Sequence, residues 1–138
     1  MYDAAVCDVA ALSDAKSVES TLMRVVEAID MTAITEPRTL TYDGGSKPED
    51  SGITTRIDGG PGQVFSEVII AESHVFIHTF PAKRFVMVDI ASCKSFAHAN
   101  VRQILNDYFK PQSVEFSIKT RMVDRLIGGL PERLFAKA

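Results

Sequence analysis

The sequence predicts an α+β two-layer sandwich, a mainly antiparallel sheet with two helices on one face, formed by a single domain over residues 1–138. Two observations carry that expectation. Three β-branched and aromatic runs follow one another between residues 63 and 91 with connections too short for helical crossovers, so neighbouring strands must run antiparallel. Two other stretches, from Ser17 and from Ala97, repeat apolar residues at helical spacing. With 46% hydrophobic residues in 15.1 kDa, the chain can fill one core.

Asp3 to Val9 is short, apolar and rich in small or β-branched residues, a first strand leading into a turn at Leu12-Ser13-Asp14. Ser17 then serves as N-cap of a helix whose Val18, Leu22, Val25, Val26 and Ile29 form one stripe. Thr32 to Tyr42 has strand content but holds Pro37, which has no ladder donor, so an edge or broken strand is expected. Six of the eight glycines fall between Gly44 and Gly62, which marks a long loop. Strands follow at Gln63 to Ala71, His74 to Phe80 and Phe85 to Ala91. Ala97 to Phe109 reads as the second helix, ended by Pro111. Ser113 to Thr120 alternates as a half-buried strand, and the tail from Val123 suits a short helix interrupted by Gly128-Gly129.

A formal charge of −3 with scattered Lys and Arg gives no basic stripe for a phosphate backbone, so nucleic acid is not an expected partner. No apolar run reaches the roughly 18 residues of a membrane span, and Met1-Tyr2-Asp3 has no basic, apolar leader; a cytoplasmic protein without membrane partners is expected. Cys7 and Cys93 are too few and too far apart for a disulfide framework or a zinc site, and no metal is expected.

The chemistry concentrates in Glu72-Ser73-His74 through His78-Thr79-Phe80-Pro81, followed by Asp89-Ile90-Ala91-Ser92-Cys93. Singly, each residue has an ordinary reading: His74 and His78, four apart, share one strand face, and a lone Cys is usually a small hydrophobe. Cys7 is assigned to packing, and His98 to the surface of the second helix. Together, Ser73, His78 and Cys93 make a more specific set. A serine hydroxyl can attack the carbonyl carbon on its N-terminal side when the turn is strained and a base is near, for which His78 is the candidate. Cys93, on a neighbouring strand, can serve as a proton donor.

Glu-Ser-His-x-x-x-His-Thr-x-Pro with a Cys twenty residues after the Ser resembles the bacterial and archaeal S-adenosylmethionine decarboxylase family, over Val68 to Cys93 above all. The resemblance implies that family's fold and a self-cleaving proenzyme. The Glu72–Ser73 bond would be cut to give 1–72 (β chain) and 73–138 (α chain), and Ser73 would become a covalent pyruvoyl cofactor. His78 would assist cleavage and Cys93 would be the acid of the decarboxylation. A homodimer of cleaved protomers is implied, acting on a small molecule in polyamine synthesis. Glu67, Phe80 and Asp89 are the substrate-binding candidates, the two acids for a cationic group.

The sequence departs from the family pattern at several places. The family's His-Thr-Trp-Pro-Glu is here His78-Thr79-Phe80-Pro81-Ala82, and Ala82 cannot accept a hydrogen bond from a ribose. Gly59 stands where an aromatic for adenine is expected, and Phe65 where the family has a serine, with Ser66 adjacent and able to replace it through a bulge. Family default gives S-adenosylmethionine as substrate; the missing contacts give a smaller cationic amino acid, arginine or ornithine. A catalytically silent regulatory relative is the third reading.

Overall fold

The computed structural model describes residues 1–42, 62–71 and 73–119. The 43–61 part of the glycine-rich loop, Glu72, and the tail from 120 on therefore lie outside the described residues. Strands β1 (Tyr2–Ala5), β2 (Arg38–Tyr42), β3 (Gln63–Ile70), β4 (Ser73–Phe80), β5 (Phe85–Ala91) and β6 (Ser113–Phe116) form one sheet. Its order is β2-β3-β4-β5-β1-β6, and every neighbouring pair is antiparallel. Among the described residues, helices α1 (Val9–Ser13), α2 (Ala15–Ala28) and α3 (His98–Phe109) are the remaining regular elements besides a 3-10 turn at Pro81–Lys83. Among the described residues no helix is long and apolar enough to cross a membrane.

The two-layer expectation holds, with three helices rather than two among the described residues. Alternation along the strands explains the layering. Val64, Ser66, Val68 and Ile70 of β3 and Val75, Ile77 and Thr79 of β4 are buried on one face, where the α2 stripe of Val18, Leu22, Val25 and Val26 packs on them with Val101, Leu105 and Phe109 of α3. Each of these larger apolar side chains contributes about 1.5–3 kcal/mol when fully buried.

The first strand ends earlier than its composition suggests. Val6 adopts φ 56°, a left-handed conformation that a β-branched residue resists, and the turn is held by Cys7 N–H on Arg84 O (2.9 Å) and Asp8 N–H on Phe109 O (2.9 Å). Leu12 and Ser13 then belong to α1, not to a turn, because the Asp8 carboxylate caps it by accepting from Ala11 N–H. Helix α2 starts at Ala15 with Asp14 as its cap: Ser17, the expected cap, instead donates its N–H to Asp14 Oδ1 at 3.1 Å. Strand β2 is an edge strand beginning just after Pro37, as a missing ladder donor requires. Strand β6 is half its expected length because its partner β1 has only four residues to offer. Cys7 is fully buried, and burial pushes its thiol up to about 11, in keeping with a packing role. His98 is half-buried rather than exposed, packed edge-on against Phe96 with ring centroids 4.6 Å apart.

Thr79, inside the His-Thr-Phe-Pro motif, has a structural task. Its buried Oγ1 donates to Leu12 O (2.7 Å) and accepts from Val64 N–H (2.9 Å), joining α1 to the sheet. Thr79→Val keeps the shape and orphans both backbone groups. The expected loss is about 2 kcal/mol in urea unfolding.

Candidate functional site

Strands β3 to β5 set the site by their register. Ile70 pairs with Ser73, and His74 pairs with Ile69 on one side and Ala91 on the other. Ser73 thus heads β4 at the sheet end where β5 finishes, and Cys93 follows two residues beyond Ala91 at that same end. The chain between α2 and β2 brackets both. Thr32 O accepts from Ala71 N–H (2.8 Å), and Ala33 bridges Ile70, while Asp30 O accepts from Lys94 Nζ (2.5 Å), with the Asp30 carboxylate 3.7 Å from that ammonium. A Ser92 side-chain turn, donating to Lys94 O at 2.8 Å, shapes the segment around the exposed Cys93.

His78 lies elsewhere. It is five residues along β4 from Ser73, roughly 16 Å at strand rise, and the odd spacing turns the two side chains to opposite faces. Ser73 follows the helix-covered parity of Val75 and Ile77; His78 is on the other face with His74, Phe76 and Phe80. There His78 sits between two rings, Phe65 at 3.9 Å (27°) and Phe80 at 4.0 Å (34°), and its Nε2 is 2.8 Å from Gln63 Oε1. Burial pushes its pKa down to about 4, so the imidazole is neutral at physiological pH. The structure therefore brings Ser73 and Cys93 to one end of the sheet and does not bring His78 to Ser73 within one chain.

The substrate-binding candidates share the open face. Glu67, Phe76 and Asp89 are direct cross-strand neighbours, so the two acids flank one aromatic ring. With Ile69 and His74 they line a depression of about 220 Å³ toward the Ser73 end of β4, on the face opposite to the one that Ser73 follows. Phe80 is instead at the far end of β4, beside His78 and 5.9 Å from the Phe85 ring. Ala82 is exposed in the turn beyond it. Gly59 lies outside the described residues. No bulge brings Ser66 to this face: Phe65 pairs with His78 and Ser66 with Ile77 in continuous register. Ser66 is fully buried under the helices, 2.8 Å from Thr39 Oγ1, which donates to Glu19. The local sequence pattern marks His78 but carries no signal for Gln63, and the odd spacing of Ser73 and His78 is the one sequence feature that separates them. Among the described residues no cluster of His, Cys, Asp or Glu is placed to hold a metal ion.

The S-adenosylmethionine decarboxylase family profile matches residues 1–122. The chain belongs to that family. An S-adenosylmethionine decarboxylase proenzyme of Aeropyrum pernix is 37% identical over 59 residues, a match spanning 41% of this chain and 44% of that relative's length. The crystal structure of the adenosylmethionine decarboxylase of Aquifex aeolicus superimposes with a TM-score of 0.62 over 88% of this chain and 92% of that one; at 15% identity, it is the fold that this likeness shows. The six-stranded antiparallel sheet with helices on one face is thus the family's fold.

Proposed function

We propose that the protein is a self-cleaving decarboxylase of S-adenosylmethionine whose Ser73 becomes a pyruvoyl group, and that it works as a homodimer in the cytoplasm. The observation that supports cleavage best is the hairpin register. Strand β3 ends at Ile70 and β4 begins at Ser73, so a break between residues 72 and 73 opens a connection and leaves the Phe65–Ile70 ladder against Ser73–His78 intact. Both pieces stay in the sheet. In the cleavage, Ser73 Oγ attacks the Glu72 carbonyl carbon, the Glu72–Ser73 C–N bond breaks, and an ester and a free amine result. Loss of the residue-73 Cα proton then expels the Glu72 carboxylate from Cβ; addition of one water and release of ammonia leave the ketone. Residue 73 fits such a group, because it is half-buried, heads a strand and has the Cys93 segment at the same sheet end.

Once present, the pyruvoyl carbonyl supplies the electron withdrawal that lets the substrate carboxylate depart as CO₂. Cys93 Sγ–H delivers the proton to the carbon that has lost CO₂, and the exposed segment held by Ser92 and Lys94 keeps it in place. Glu67 and Asp89 on either side of Phe76 share the face of His78 and not that of Ser73, so they hold, over an aromatic face, the positive charge of a substrate at the partner's residue 73. The site reading yields a direct result: Cys93→Ala is expected to keep cleavage and to lose about 10²–10⁴-fold in turnover, read as labelled CO₂ from S-adenosylmethionine. Full turnover in that variant removes Cys93 from the reaction. Arginine and ornithine belong in the same assay, since Ala82 presents no acceptor for a ribose; CO₂ from either amino acid with none from S-adenosylmethionine makes the smaller cation the substrate.

The homodimer rests on the face opposite the helices. Tyr42, Phe65, Phe76, His78, Phe80 and Phe85 form a connected aromatic surface opposite the helices, with no described element over it. A contiguous apolar surface of that kind is an association site. A second copy laid sheet to sheet covers it and can bring the partner's His78 toward the Ser73 end.

A further inference from the structure

His78 is held on three sides. Phe65 and Phe80 stack on its two ring faces and fix the plane of the imidazole, but stacking does not distinguish one nitrogen from the other. The edge contact does. Gln63 opens β3 with only 9% of its surface exposed, paired with Tyr42, and its Oε1 is 2.8 Å from His78 Nε2. With Oε1 turned to the ring the amide can only accept, and an Nε2–H is the tautomer that satisfies it. We propose that Gln63 is a positioning residue for His78, holding the imidazole as the Nε2–H tautomer and leaving Nδ1 as the proton acceptor. The proposal rests on the reading that His78 acts in cleavage, and it assigns the atom through which His78 does so.

The surroundings support a single neutral tautomer. The direct cross-strand partners of His78 are Phe65 and Met87, both uncharged. The ionisable groups of the same face stand one position further off: Glu67 and Asp89 beside Phe76, Asp3 beside Met87, and Arg38 beside Glu67. Burial keeps the ring neutral down to about pH 4, so the amide meets imidazole and not imidazolium over the physiological range.

The test is ¹⁵N NMR of histidine-labelled protein with cleavage rates for wild type, Gln63→Leu and Gln63→Glu. The wild type is expected to show a protonated Nε2 and an unprotonated Nδ1 at His78. Gln63→Leu, similar in size, should mix the tautomers and slow cleavage roughly 10- to 100-fold, the range in which a misplaced reacting group costs. Gln63→Glu still accepts from Nε2–H and adds a negative charge, so it should keep the tautomer, raise the His78 pKa by about one unit or more and move the pH profile of cleavage upward with it. That rescue is something a merely packing role does not produce, and it carries the test should Gln63→Leu fail to fold. An Nδ1–H tautomer in the wild type, or unchanged tautomer and rate in Gln63→Leu, overturns the proposal. The parent reading fails differently: His78→Ala cleaving at the wild-type rate removes His78 from cleavage, whereas the tautomer measurement still decides what Gln63 does.

Discussion

Ser73→Ala is expected to stay a single 15.1 kDa chain and to release no CO₂ from any substrate, whereas the wild type is expected to separate under denaturing conditions into residues 1–72 and 73–138. The effect is all or none because one hydroxyl has two tasks. Its Oγ is the nucleophile that turns the Glu72–Ser73 amide into an ester, and that same oxygen then leaves Cβ with the Glu72 carboxylate so that residue 73 can become the ketone; the alanine side chain has no oxygen for either step. The 73–138 piece of the wild type should resist N-terminal sequencing, since it begins with a ketone and not an amine. Whole-protein mass measures both expectations at once. The variant should also remain folded, because residue 73 pairs with Ile70 through its backbone at the end of a ladder that continues to Phe65 and His78. A wild type that keeps its full mass through prolonged incubation while folded would show that the chain does not process itself, and would leave the silent regulatory reading.

The fold was legible where sequence and environment share one period. From Val64 to Asp89, strands β3 to β5 alternate fully buried with less buried residues, so their residues announce them to within a position or two. Short elements were not legible. Helix α1 is five residues long, less than two turns, and owes its existence to the Asp8 cap and to burial of Leu12. The start of α2 was misplaced because Asp14 and Ser17 are both good caps, and which one caps depends on where the preceding helix delivers the chain. The site divides the same way. Ser73, His74, His78 and Cys93 stood out as a local pattern, and the odd interval between Ser73 and His78 already implied opposite faces of a strand. The Gln63–His78 contact depends on the β3–β4 register, and the hold of Asp30 on Lys94 joins residues 64 apart, so neither leaves a local signal.

That odd interval carries the second large effect. Along an extended strand the two residues are separated by roughly 16 Å and face opposite ways, so one protomer cannot bring its own His78 to its own Ser73 without dismantling β4. If His78 acts on the junction, it does so across the aromatic face, on the partner's Ser73. Co-expressed Ser73→Ala and His78→Ala chains are then expected to complement each other, although each alone is inactive. In a mixed dimer the His78→Ala chain offers an intact Ser73 and receives His78 from the Ser73→Ala chain, which completes one site of two. With random pairing, about a quarter of the wild-type number of sites is restored. Mass spectrometry gives the sharper reading: the His78→Ala chain should be cut in the mixture and the Ser73→Ala chain should not. Differently tagged chains establish that mixed dimers have formed. Mixed dimers in which neither chain is cut and no CO₂ is released would mean that His78 does not act between subunits, and the open face would then need another explanation for its six connected rings.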